Sequence, residues 1–213
     1  MQISFNDVMP FPLSSIRHGE KSIWGSSFTL KEGQKVVLNA SSGKGKTTFT
    51  HILSGIRKDF TGNVLFDDEK IKLFDAEKWS DFRKNRVSVI FQDLQLFPHL
   101  TVRENLLVKN SLTDTFSESQ LLDLLKELDI VDKWEEKCSL LSMGQQQRVA
   151  IIRAMSQPFE WLIMDEPFSH LDEGNTQKCL QMIDSRCNEL NAGFILTTLG
   201  DFHDFNYDRE LNL

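Results

Sequence analysis

The chain has 213 residues, 40% of them hydrophobic, and a formal net charge of −7. That suffices to bury a substantial core in one domain of ordinary size, and with no strongly basic block it argues against affinity built on neutralising nucleic-acid phosphates. No apolar stretch approaches the roughly 20 residues needed to cross a bilayer.

The segment Met1 to Leu13 lacks the basic start and continuous apolar run of a signal peptide. Gln2 to Val8 and Ser27 to Leu30 read as strands. Between them Phe11 stands among prolines in Met9-Pro10-Phe11-Pro12-Leu13. Val36 to Asn39 is a further apolar strand, and it runs into Ser41-Ser42-Gly43-Lys44-Gly45-Lys46-Thr47-Thr48. An apolar-periodic, helix-like segment from Phe49 to Ile56 follows. A strand, a small-residue turn with Gly-Lys-Thr and then a helix is an arrangement suited to nucleotide phosphates. Glycines let backbone amides approach the ligand, and a helix N-terminus adds positive potential. Lys46 is placed to reach the terminal phosphates and Thr47 to ligate Mg2+. One position departs from G-x-x-x-x-G-K-[ST]: Ala40 replaces the opening glycine.

Gly62 to Asp67 reads as a strand closing in a charged hairpin turn at Asp67-Asp68-Glu69. The interval from Glu77 to Leu128 reads as largely helical around a buried strand at Val87–Phe91. Within it, Ser117 and Gln120 form a capping-box signature. Ser142 is a good N-cap for the apolar-periodic stretch that follows, and a capped helix tip exposes free amides. Trp161 to Met164 is an apolar strand ending in Asp165-Glu166, and Phe194 to Thr197 is the last core strand. Acids at the carboxyl end of a parallel strand face the crevice where ligands bind. Cys138, Cys179 and Cys187 show no CxxC pairing, and His51, His99 and His170 are not at metal-ligand spacing. A reduced cytoplasmic setting is expected. Short apolar runs alternating with helical patterns predict an α/β protein with a largely parallel sheet.

Leu141-Ser142-Met143-Gly144-Gln145 resembles the signature loop, usually LSGGQ, of the ATP-binding subunits of ABC transporters. Val89-Ile90-Phe91-Gln92-Asp93 is similar to that family's Q-loop, and Ser169-His170-Leu171-Asp172 to its D-loop. Leu96 to Asn105 resembles the stretch typical of importers and lipoprotein-release-type subunits. The likeness runs from about Gln2 into the 190s with the motifs in order. It implies a P-loop NTPase core with a mixed, mainly parallel sheet, an N-terminal antiparallel β part and a helical insertion at about 93–157, in one domain over 1–213.

By this resemblance the cofactors are ATP and Mg2+. Nucleotide contacts come from Ser41, Ser42, Gly43, Lys44, Gly45, Lys46, Thr47 and Thr48, with Phe11 against the adenine. Ser142, Gly144 and Gln145 of a second copy meet the terminal phosphate, and Asp172 couples the two sites. Thr47, Gln92 and Asp165 surround the metal, and Glu166, Lys46 and Gln92 carry catalysis. The implied partners are a like subunit in a head-to-tail dimer and a separate membrane permease, with the chain peripheral on the inner face of the membrane and no nucleic acid bound. A coupling helix of that permease is expected near Phe97, Leu100 and Val102.

Three departures bear on activity: Ala40, Met143 in the signature loop, and Leu199 where the family carries a histidine. Leucine cannot stabilise charge on a phosphate, so slow hydrolysis, or an ATP-dependent dimerisation module with little turnover, is the alternative expectation. A chromosome-maintenance ATPase is disfavoured because no sustained heptads lie between Thr48 and Leu141. A small-molecule kinase leaves the signature segment without a role.

Overall fold

A computed structural model of the chain describes residues 1–19 and 21–213. Four strands form an antiparallel sheet: β1 (Ile3–Pro10), β2 (Phe28–Leu30), β4 (Phe60–Phe66) and β5 (Glu69–Lys70), in the order β2-β1-β4-β5. Five others form a wholly parallel sheet: β3 (Lys35–Asn39), β6 (Val87–Ile90), β7 (Trp161–Asp165), β8 (Gly193–Thr198) and β9 (Arg209–Asn212), in the order β6-β7-β8-β3-β9. The expected mixture of strand directions thus resolves into two separate sheets. The first strand runs two residues past its expected end at Val8, and β4 starts two before Gly62.

Among the described residues six α-helices accompany the sheets: α1 (Lys46–Leu53), α2 (Ala76–Asn85), α3 (Val102–Asn110), α4 (Glu118–Glu127), α5 (Met143–Met155) and α6 (Glu173–Leu190). Their starts follow the sequence. Ser117 and Ser142 each head a complete capping box, with Gln120 and Gln145 as the returning partners, and Thr101 with Glu104 forms a third. Residues 77–128 hold α2, α3 and α4, interrupted by β6 and a loop from Phe91 to Leu100.

Both faces of the parallel sheet are covered, which is why its strands are continuous apolar runs. Leu162, Met164, Phe194 and Leu196 face the core shared with α4, α5 and α6. Trp161, Ile163, Ile195 and Leu38 face the core shared with α1 and the antiparallel sheet, where Phe49 stacks on Phe5. Val102 is fully buried in the helical core, whereas Phe97 stays half exposed. Asn105, also buried, ties the intervening loop to α3 by donating to the carbonyls of Phe97, Leu100 and Thr101.

The two sheets are joined by Arg86, between α2 and β6, which pairs with both Glu160 and Asp67 in the β4–β5 turn. Burial alone would raise both carboxyls. Arg86 and the Met1 ammonium override this at Glu160, and the Gln2 backbone N–H together with Arg86 does so at Asp67, so both titrate below their ordinary values. A depressed carboxylate pKa contributes stability that is present above the unfolded value, about pH 4, and lost as pH falls through the folded value. Arg86→Met is expected to cost about 1–2 kcal/mol at neutral pH, after allowance for solvent screening, with the deficit shrinking toward about pH 3. Urea unfolding at the two pH values reads this, and a pH-independent deficit would contradict it.

Candidate functional site

The carboxyl edge of the parallel sheet gathers the chemistry. β3, β8 and β7 are adjacent, with Asn39 opposite Thr198 and Asp165 opposite Thr197. The turn that leaves β3 therefore lies beside the acids that end β7. Gly45 caps α1 with φ +106°, and Gly43 has φ +77°, backbone conformations costly for side-chain-bearing residues. A Cβ on Gly45 would stand 2.5 Å from the Leu13 side chain and 3.2 Å from Trp24 Nε1. Trp24 also donates from Nε1 to the Lys44 carbonyl at 3.1 Å, so the turn rests on a buried indole. Ala40 is buried, its N–H donates to the Thr198 carbonyl, and it is absent from the positive-φ positions, so its Cβ is accommodated there.

Lys46 is buried, with Nζ 3.0 Å from the Ala40 carbonyl and 3.3 Å from Glu166 Oε1. Glu166 itself has φ +49°, an unfavourable region for a residue with a side chain. Thr197 holds the acids in register: its hydroxyl donates to Asp165 Oδ1 at 2.6 Å and accepts from the Glu166 N–H at 3.3 Å. Asp165 is 1% exposed, and among the described residues its Oδ2 has no hydrogen-bond partner. An unpaired buried carboxylate oxygen is costly, and one positioned beside a phosphate turn suits a hydrated divalent cation. Thr47 and Gln92, two of the three residues expected around Mg2+, line one groove, whereas Asp165 is not among the residues that line it. Ser41, Ser42, Gly43 and Thr47 are exposed, while Lys44, Gly45 and Thr48 are half-buried.

Ser142, Gly144, Gln145 and Asp172 form a second cluster, and among the described residues none of their hydrogen bonds reaches residues 41–48. Ser142 and Gln145 are engaged in their own capping box. A Cβ on Gly144 would meet the His170 carbonyl oxygen at 2.9 Å, so the helix tip and the 169–172 segment touch backbone to backbone. Gln147, not singled out from the sequence, fixes this contact: it is buried, donates to Ser169 Oγ and accepts from the His170 N–H. Asp172 is the N-cap of α6; hydrogen bonds from the Asn175 backbone and side chain hold its carboxyl below the ordinary range.

Phe11 is 58% exposed, two residues before the Leu13 that packs at Gly45. Leu199, at 59% exposure, lines a cavity of about 610 Å3 with Glu166, Thr198 and His203. The His203 ring stands edge-on to Phe168 and 3.3 Å from Asp201, and burial lowers its pKa against the opposing pull of Asp201. His203 therefore shares the cavity despite its offset in sequence.

A phosphate turn beside an acid-tipped strand, with a capped helix tip elsewhere, defines a P-loop ATP-binding cassette. Residues 23–169 match the family described as "ABC transporter". The lipoprotein-releasing system ATP-binding protein LolD of Buchnera aphidicola subsp. Acyrthosiphon pisum is 34% identical over 176 residues, 81% of this chain and 77% of that protein. The putative hemin import ATP-binding protein HrtA of Staphylococcus aureus (strain Newman) is 34% identical over 201 residues, covering 91% and 88%. The dimeric structure of MJ0796, a bacterial ABC transporter cassette, superposes with a TM-score of 0.80 at 24% identity, covering 99% of this chain and 94% of that one. A dimeric post-hydrolysis state of MJ0796 bound to ADP and Pi matches at 25% identity and TM-score 0.76, covering 92% and 88%. The chain belongs to the ABC transporter family as an ATP-binding subunit, an ATPase.

Gly45→Ala is expected to weaken Mg·ATP binding at least about tenfold, because the added methyl drives the turn off Leu13 and Trp24. Calorimetric titration checks this; wild-type affinity would contradict it.

Proposed function

We propose that two copies of this chain close head to tail around two Mg·ATP and that closure and hydrolysis drive a separate permease. The observation that carries the reading is the Lys46–Glu166–Asp165–Thr197 constellation at the carboxyl edge of the sheet. Backbone amides of Ser41 to Thr48 and the Lys46 ammonium hold the phosphates, and Phe11 lies under the adenine. Thr47, Gln92 and Asp165 hold the metal. A magnesium ion held there would supply charge neutralisation to the terminal phosphates. Glu166 orients and deprotonates the attacking water. In the closed dimer Ser142, Gly144 and Gln145 present the amides of the α5 tip to the partner's nucleotide, and Asp172, through α6, links the two sites. The nucleotide is then a ligand with differential affinity for the closed state, which is what shifts the population.

The chain acts at the inner face of a membrane, docked on its permease; among the described residues no helix is long and apolar enough to cross one. The relatives named for lipoprotein release and hemin import support a permease partner of one of those kinds.

A slow-turnover variant of this function is favoured by Leu199, which offers no hydrogen bond to the cavity it shares with Glu166. Glu166→Gln is expected to abolish turnover and to stabilise an ATP-bound dimer in size-exclusion chromatography. Leu199→His is expected to raise kcat by roughly a hundredfold, the scale of one added charge-stabilising donor. An unchanged kcat would place the limiting step elsewhere. Gly144→Ala is expected to weaken ATP-driven dimerisation while the monomer still binds nucleotide; equal loss of both would contradict the two-surface clasp.

A further inference from the structure

Lys46 and Glu166, the two charges that face the reacting phosphate in the proposed reaction, are paired with each other in the structure. An ammonium group has three donors and no acceptor. That of Lys46 faces the Ala40 carbonyl at 3.0 Å, the Ser41 carbonyl at 3.5 Å and Glu166 Oε1 at 3.3 Å. The lysine side chain is 7% exposed and the glutamate 15%, so water does little to screen the pair. All three neighbours are acceptors within the protein, and an entering phosphate has to displace one of them. The two carbonyls belong to the turn that leaves β3, whereas Glu166 reaches across from the end of β7. The carboxylate is the separable partner.

Glu166 has no second cation to turn to. Among the described residues Lys46 is its one ion-pair partner, and no lysine or arginine lines the cavity it shares with Phe168, Leu199 and His203. His203 faces Asp201 instead. The backbone fixes the aim of Glu166: φ is +49°, and its N–H lies 3.3 Å from both the carbonyl and the hydroxyl of Thr197. A left-handed position is unfavourable for a glutamate on its own, and a largely buried carboxylate without a counter-charge is more so. The ion pair with Lys46 offsets the second of these.

We propose that this ion pair is a latch: Lys46 holds Glu166 idle until the terminal phosphates of ATP replace the carboxylate on the ammonium and release it. The inference rests on the reading of Glu166 as the group that activates water, and adds what restrains that group before substrate arrives. Two anions compete for one cation, so Glu166 and the phosphates weaken each other's hold on Lys46. A carboxylate oxygen engaged by an ammonium is a weaker base than a free one, because the pairing stabilises its charged form. Release therefore restores basicity when the phosphate to be attacked is in place. A nucleoside monophosphate, with no terminal phosphates to offer Lys46, leaves the latch closed.

A double-mutant cycle on nucleotide affinity tests this, with the purified full chain in chelator so that turnover does not intrude. Binding of ATP and of AMP is read by displacement of a fluorescent ATP analogue, and circular dichroism confirms that each variant is folded. With Lys46 present, Glu166→Gln is expected to tighten ATP about tenfold and Glu166→Ala to tighten it further, because the amide still accepts from Lys46 and the methyl does not. AMP affinity is expected to stay unchanged. In a Lys46→Met background neither substitution is expected to alter ATP affinity. Equal tightening in both backgrounds, or equal effects of Gln and Ala beside Lys46, would mean that the carboxylate simply repels the phosphates, and overturns the latch. Absence of any tightening overturns it too, and leaves the ATPase reading standing. A folded wild-type chain that binds no ATP, with or without magnesium, removes both.

Discussion

Everything at the nucleotide edge depends on Thr197 and the acid it restrains. Its hydroxyl ties Asp165 to the neighbouring strand while receiving the Glu166 N–H, so two consecutive acids are aimed in different directions. Asp165 turns inward with one oxygen committed and one unpaired, and Glu166 turns toward Lys46 through a left-handed backbone position. The parallel register makes this arrangement possible, because it ends β3, β8 and β7 side by side. Strain at Glu166 and an orphan carboxylate oxygen are both unfavourable for the fold alone, and both are features of sites prepared for a charged ligand.

Two further contacts extend from that edge to the surfaces proposed to meet other molecules. On one side, Gln147 and the close approach of Gly144 to His170 lock the α5 tip to the segment that begins α6. The signature-like loop and the 169–172 segment are therefore held in direct contact. On the other side, Arg153 of the same helix grips the carbonyls of Leu94 and Gln95 just beyond Gln92. Helix α5 thus touches both the expected dimer face and the groove beside the nucleotide. Its capping box keeps the first turn intact while its body lies in the helical core.

Much of this was legible in the sequence where the physics is local. The Gly-Lys-Thr turn, the acids after Trp161–Met164 and the serine caps at 117 and 142 each depend on a few consecutive residues, and each appears where expected. What was hidden depends on long-range partners. Nothing in the composition of Arg209–Asn212 announces a strand; β9 exists because β3 offers it a parallel edge, and its Arg209 reaches the Thr29 carbonyl of the other sheet. Trp24 under the phosphate turn, Gln147 between two loops and Asn105 clasping residues 97–101 are single polar or aromatic side chains whose roles come from residues 20 to 23 positions away, or from a buried setting. Val102 is a core residue while nearby Phe97 remains half exposed, a distinction that apolarity alone does not make.

The central claim is that the unpaired oxygen of Asp165 serves the metal that accompanies the nucleotide. It is tested most directly by measuring ATP affinity with magnesium and with chelator for the wild type and for Asp165→Asn, with circular dichroism to confirm the fold. Wild-type affinity is expected to fall at least about tenfold in chelator, while the variant binds weakly and indifferently in both. A variant that keeps the full magnesium dependence would contradict the account.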